Sequence, residues 1–147
     1  MTAERPFPSV TMHGMDASIP PPVLDALREA ARAAPGLELI VLFGSRARGE
    51  AGAASDWDFG CLATAPFDAA SLLGVLVETV GSDRVDLVDL RRASGLLRYR
   101  AARDGRLIYE TRPGTADQFC LDAVTFWCDA APVLERGYDG VLTELKA

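Results

Sequence analysis

Phe43–Gly60 reads FGSRARGEAGAASDWDFG, and the two ends of this stretch govern how the rest of the chain is parsed. Immediately before it lies Leu37–Phe43 (LELIVLF), bounded by Pro35-Gly36 and Gly44. That run is too short for a typical helix and reads as a buried strand. Gly44-Ser45 then opens what the spacing predicts as one helical turn through Gly49. The first N–H groups of a helix lack internal partners and carry partial positive charge, so a strand-to-helix junction suits a phosphate. Gly44 lets the ligand approach the backbone, Ser45 offers a hydroxyl, and Arg46 and Arg48 offer charge-assisted bonds. Gly-Ser alone fits equally an ordinary turn in which Ser45 caps a helix.

Ten residues separate Ser45 from Asp56, and Asp56-Trp57-Asp58 leads into Trp57–Leu62 (WDFGCL), the predicted second strand. Side chains alternate along a strand, so Asp56 and Asp58 point one way while Trp57 and Phe59 point into the core. Two carboxylates so close repel unless something binds between them. Mg²⁺ suits that position, because it takes one or two carboxylates and keeps its other sites for water and phosphate. An isolated Asp-x-Asp is otherwise a solvated strand edge. Phosphoryl transfer with two metals asks for a third acid, and the third predicted strand, Val85–Leu90 (VDLVDL), offers Asp86 and Asp89 on opposite faces. Asp89, at the strand's end, also suits a cap for the next helix. Spacing leaves the choice between them open.

Away from this stretch, Met1–Pro22 holds five of the nine prolines and reads as an irregular arm, with a short strand at Val10–Met12. Pro20-Pro21-Pro22 suits a helix start. Val23, Leu24, Leu27, Ala30, Ala31 and Ala34 then recur at helical spacing until Pro35-Gly36. Leu72, Leu73, Leu76, Val77 and Val80 form a second apolar stripe, closed by Gly81. Leu96–Arg103 is helical up to the Asp104-Gly105 turn, and Leu107–Tyr109 is a short fourth strand. From Ala116 to Leu145 the pattern is helical, anchored by Phe119, Val124, Phe126 and Trp127, with Pro132 and Gly137/Gly140 expected to divide it in two. The expected fold is α/β: one domain over 1–147, with a small mixed sheet of three to four strands flanked by helices. It comprises an arm (1–22), a core (23–110) and a C-terminal helical segment (111–147).

With a net charge of −6 and dispersed arginines, which read as a solvated face rather than a basic footprint, stable nucleic-acid binding is not expected. No apolar run approaches the length of a membrane span, and no signal-peptide pattern opens the chain. Cys61, Cys120 and Cys128, an odd set without CxxC spacing, read as reduced thiols in apolar surroundings, which fits the cytoplasm. His13 is the single histidine. No nucleophile elbow, P-loop lysine, dinucleotide fingerprint or zinc set is present. Asp58-Phe59-Gly60 mimics a kinase triplet with nothing else of a kinase around it. Phe126-Trp127 and Tyr138 suit either a partner surface or helix packing. Arg98, Arg100 and Arg103 read as helix-surface residues, one of them able to face a triphosphate.

FGSRARGEAGAASDWDFG resembles the signature of the minimal nucleotidyltransferases of the DNA polymerase beta superfamily: Gly-Ser, ten residues, then Asp-x-Asp. The similarity continues through VDLVDL and LLRYRAARDGRLIYE and covers Leu37 to Glu110, about half the chain. The position after the second acid is usually aliphatic in that family, whereas Phe59-Gly60 follows here. The resemblance implies a polymerase beta-like core with Ser45 as a phosphate contact. It implies Asp56 and Asp58 as Mg²⁺ ligands, and Asp86 as the third carboxylate, acting as base or metal ligand. It further implies AMP transfer from ATP to a tyrosine of a HEPN-type toxin partner, which makes the chain an antitoxin. A non-catalytic antitoxin acting by contact and a stand-alone small-molecule adenylyltransferase are the alternatives.

Overall fold

The computed structural model describes residues 19–50, 52 and 55–146, with side chains to residue 130. The strand expected at Val10–Met12, His13 and the Tyr138 side chain lie outside the described residues. Helix α1 (Pro21–Arg32) begins on the prolines, whose missing N–H groups cost nothing in a first turn. It leads into β1 (Leu37–Phe43), a single turn α2 (Gly44–Ala47) and β2 (Trp57–Ala63). Helix α3 (Ala69–Val80) is capped by Asp68, which accepts from the Ser71 N–H at 3.1 Å, and stops at left-handed Gly81. β3 (Val85–Asp89), α4 (Gly95–Asp104), β4 (Arg106–Glu110) and α5 (Thr115–Lys146) complete the order.

The four strands form a mixed sheet in the order β3-β2-β1-β4. β1 runs antiparallel to both neighbours, while β2 and β3, joined by the α3 crossover, are parallel. β1 is central and covered on both faces, which is why LELIVLF is apolar nearly throughout. On one face Ile40, Leu42, Trp57 and Phe59 pack with Leu27 and Ala31 of α1 and Leu72 and Leu76 of α3. On the other, Leu39, Val41, Phe43 and Leu90 pack with Ala101 and Ala102 of α4 and Phe119, Ala123 and Val124 of α5. The layers are helix, sheet, helix. Phe59-Gly60 finds its explanation here: Phe59 is fully buried, and a methyl on Gly60 would press on the Leu90 side chain, which fills that space.

Three expectations are corrected. The C-terminal backbone is one helix through residue 146 rather than two pieces. A proline inside a helix removes one hydrogen bond and kinks the chain before it ends it, and glycine only lowers propensity. Phe126 is not a core anchor: it is 52% exposed, whereas Trp127 stacks on Tyr99 with ring centroids 5.6 Å apart. Asp89 does not cap α4. It accepts from the Arg91 N–H at 2.9 Å and holds the turn after β3, while Ser94 caps α4 through the Leu97 N–H at 3.2 Å. The cysteines are all free, but only Cys61 and Cys120 are buried; Cys128 is exposed. Among the described residues no helix is long and apolar enough to cross a membrane.

Candidate active site

The cleft lies where β1 ends and β2 and β3 begin. β1 delivers the chain to Phe43, whose extended backbone turns directly into α2 at Gly44. Gly44 adopts φ +74°, a left-handed conformation that L side chains avoid, and the place a Cβ would occupy is taken by the Asp58 carboxylate. The antiparallel register sets Phe43 opposite Asp58, and the parallel register sets Asp58 beside Asp86. Two loops far apart in sequence and one crossover strand thus meet at a single point.

A cleft of ≈ 410 Å³ opens there, lined by Phe43, Gly44, Arg48, Asp58, Asp86 and Leu87 on the sheet side and by Leu97, Arg100 and Asp104 of α4. Asp58 is half-buried. Burial pushes its carboxyl above the ordinary carboxylate range, the charges of Asp86 and Asp56 push it further, and Arg48 opposes them. Asp56 precedes β2 rather than lying within it and is exposed. Its charge adds to the negative field at Asp58. Among the described residues no three acids, thiols or imidazoles close into a metal cage. The acids that line the cleft are Asp58, Asp86 and Asp104.

Of the sequence candidates, Gly44, Arg48, Asp58 and Asp86 come together in the cleft, whereas Asp56, exposed just before β2, is not among the residues that line it. Ser45 is the second residue of α2 and half-buried; α2 has no side-chain cap, so the helix-cap reading of Ser45 is corrected. Arg46 does not line the cleft. Its guanidinium donates to the Ser55 carbonyl at 2.9 and 3.2 Å and lies 4.2 Å from the centre of the Trp57 ring, tying the loop before Asp56 to the strand. Arg48 reaches Glu50 at 3.1 Å and Asp104 at 3.5 Å. Asp104 went unnoticed in the sequence because it looked like half of a turn signal. Hydrogen bonds from Arg103 lower its carboxyl below the usual range, and Arg48 adds to this against some burial.

Asp86 and Asp89 now separate. Asp86 is exposed in the cleft beside Asp58, and Asp89 binds a turn outside it. Asp86→Ala is expected to reduce nucleotidyl transfer by orders of magnitude with little change in melting temperature. Asp89→Ala should lose about 1 kcal/mol of stability, the worth of one hydrogen bond, and keep its activity. Parallel melting and transfer assays check both; the reverse pattern would show that β3 presents its other face.

Residues 25–113, from within α1 to just past β4, match the family described as polymerase beta, nucleotidyltransferase. The chain is 38% identical over 97 residues to the protein adenylyltransferase MntA of Aphanizomenon flos-aquae (strain 2012/KM1/D3). That alignment covers 58% of this chain and 65% of the relative, so it spans just under two thirds of that protein. A chain of the crystal structure of a toxin-antitoxin with AMP-PNP superposes with a TM-score of 0.66 at 26% identity, over 84% of this chain and 98% of the other. A chain of the complex of tri-AMPylated Shewanella oneidensis HEPN toxin with MNT antitoxin gives 0.61 at 25% identity, over 85% and 97%. Because the family match takes in the whole sheet, the Gly44 turn and all the cleft carboxylates, this chain belongs to the polymerase beta nucleotidyltransferases.

Proposed function

We propose that the chain transfers AMP from ATP to a tyrosine hydroxyl of a HEPN-type toxin, and so acts as that toxin's antitoxin. The observation that carries this reading is the meeting of Gly44, Arg48, Asp58 and Asp86 in one cleft of a polymerase beta-type domain. Likeness to MntA, and to chains of toxin–antitoxin structures with AMP-PNP and with an AMPylated HEPN toxin, suggests the nucleotide and the acceptor. In the reaction the tyrosine oxygen bonds to the α-phosphorus. The bond from that phosphorus to the bridging β-oxygen breaks, pyrophosphate leaves, and the hydroxyl proton passes to a base.

Asp56, Asp58 and Asp86 would hold Mg²⁺, which when bound supplies neutralisation of the phosphate charge. The donors fit a sparsely held cation: Asp58 and Asp86 lie side by side in the cleft, and Asp58, raised first by burial and then by the charges of Asp86 and Asp56, would be relieved by a divalent cation. Asp86 serves as base or metal ligand. Gly44 leaves room for the phosphates, Ser45 donates its hydroxyl to one of them, and Arg48 adds charge at the rim. Arg46 acts at one remove, by holding the loop that carries Asp56. The acceptor comes from the partner, since α5 uses Phe119, Cys120, Ala123 and Val124 to cover the sheet rather than to wall a second-substrate pocket.

Ser45→Ala should weaken ATP affinity or transfer by roughly 10- to 100-fold, less than loss of an acid, since a hydrogen bond to a charged group is worth about 1.5–3 kcal/mol. Unchanged titration and kinetics would remove Ser45 from the phosphate site. The function itself is tested by co-expressing the chain with a neighbouring HEPN-type protein and weighing the intact partner. Added masses of whole AMP units on a tyrosine, lost with Asp86→Ala, are the expected result. An unmodified partner, together with efficient transfer to a small molecule by the isolated chain, would replace the antitoxin with a stand-alone adenylyltransferase.

A further inference from the structure

Leu97, Arg100 and Asp104, spaced i, i+3 and i+7 on α4, form one stripe along the cleft wall. Their polar members are treated very differently. Asp104 is held by Arg103 at 2.9 Å and Arg48 at 3.5 Å, and Arg48 is also bound to Glu50. Arg100, among the described residues, makes no hydrogen bond, ion pair or ring contact. It nevertheless lines the same cleft as Asp58 and Asp86, in a chain with an excess of six negative charges. An arginine free to pair with those acids would close the cleft onto itself. In the ≈ 410 Å³ space Arg48 is already committed to Glu50 and Asp104, which leaves Arg100, on the helical wall across from Asp58 and Asp86, as the cation without a partner among the described residues.

A metal held by the acids would leave phosphate oxygens of a nucleoside triphosphate in need of a further cation, and Arg100 is placed in the same cleft to supply it. The α-phosphorus has to stay at the carboxylate end, where the acceptor hydroxyl arrives. Phosphates beyond it that extended toward the helical wall would meet Arg100. We infer that Arg100 binds the β- or γ-phosphate of the nucleoside triphosphate, the portion that leaves as pyrophosphate. This assignment rests on the nucleotidyltransferase reading and extends it to a residue outside the Gly-Ser and Asp-x-Asp elements. The guanidinium fork suits two phosphate oxygens at once, which a lysine ammonium does not reproduce.

The test is calorimetric titration of the full chain in Mg²⁺ with ATP, AMP and inorganic pyrophosphate. Arg100→Ala should weaken ATP and pyrophosphate binding by roughly 10- to 100-fold, as expected for losing bonds to a charged group, and leave AMP within about twofold. Arg100→Lys should recover part of the loss. Because Arg100 is exposed and unpartnered among the described residues, the melting temperature should not move. ATP affinity within twofold of wild type in Arg100→Ala would overturn this assignment alone. Equal losses for AMP and ATP would overturn it too, moving Arg100 to the nucleoside end. Failure of the wild-type chain to bind ATP in Mg²⁺ would overturn the nucleotidyltransferase reading, and this assignment with it.

Discussion

Asp58→Asn is expected to abolish transfer and, in the absence of Mg²⁺, to raise the melting temperature. The two effects have one cause. Asp58 is half-buried beside Asp86 and Asp56, so its ionised form is disfavoured in the folded chain relative to the unfolded one. A carboxyl that keeps its proton to higher pH when folded costs stability once it ionises. The cost is absent below the ordinary carboxylate pKa and complete above the raised value. The gain from Asp58→Asn should therefore appear near neutral pH and vanish in acid. Mg²⁺ should stabilise the wild-type chain markedly and the variant much less, because ligand that binds only the folded state adds to its stability. Melting curves with and without Mg²⁺ at neutral and acidic pH, beside a transfer assay, check all of this. Wild-type turnover in Asp58→Asn would remove it from the metal site.

Gly44→Ala should be nearly as damaging by a different route. Alanine at φ +74° costs about 1–2 kcal/mol of backbone strain. Its methyl would also take the space of the Asp58 carboxylate, displacing the acid on which the cleft is centred. A displacement of about an ångström at a reacting centre costs roughly 100-fold in rate, and that is the minimum loss of transfer expected. Gly49 provides the control. It has the same φ of +74°, but nothing lies within 4 Å of an added Cβ, so Gly49→Ala should show the strain and keep the activity. Similar transfer rates for the two variants would mean that Asp58 is not seated against Gly44.

The periodic parts of the fold were legible because their causes are local. LELIVLF between Pro35-Gly36 and Gly44 could be only a short buried strand, and the structure has β1 over the same residues. Stripes at helical spacing located α1 and α3, and the Asp104-Gly105 turn bounded α4, to within a few residues, since caps and breakers act within a turn. Gly44, Asp58 and Asp86 were likewise visible as residues whose types suit phosphate and metal. Their meeting was not. It depends on β1 pairing with β2 so that Phe43 faces Asp58, and on a parallel crossover that sets Asp86 beside it. Non-local register also separates Asp86 from Asp89, a choice that alternation alone left open. Arg46 and Arg48 were indistinguishable as two arginines of one turn. Tertiary structure sends the first to the Ser55 carbonyl and the Trp57 ring and the second to the cleft, because two positions on a helical turn project about 200° apart. Arg100 gains its place only from the packing of α4 through Ala101 and Ala102, which turns the Leu97–Arg100–Asp104 stripe toward the strand ends. The sequence by itself thus determined the elements up to β4 and most of the chemical vocabulary of the site, which depend on neighbours in the chain. Which of those side chains share one cleft was decided by strand register and helix packing, which act between residues that are distant in the chain.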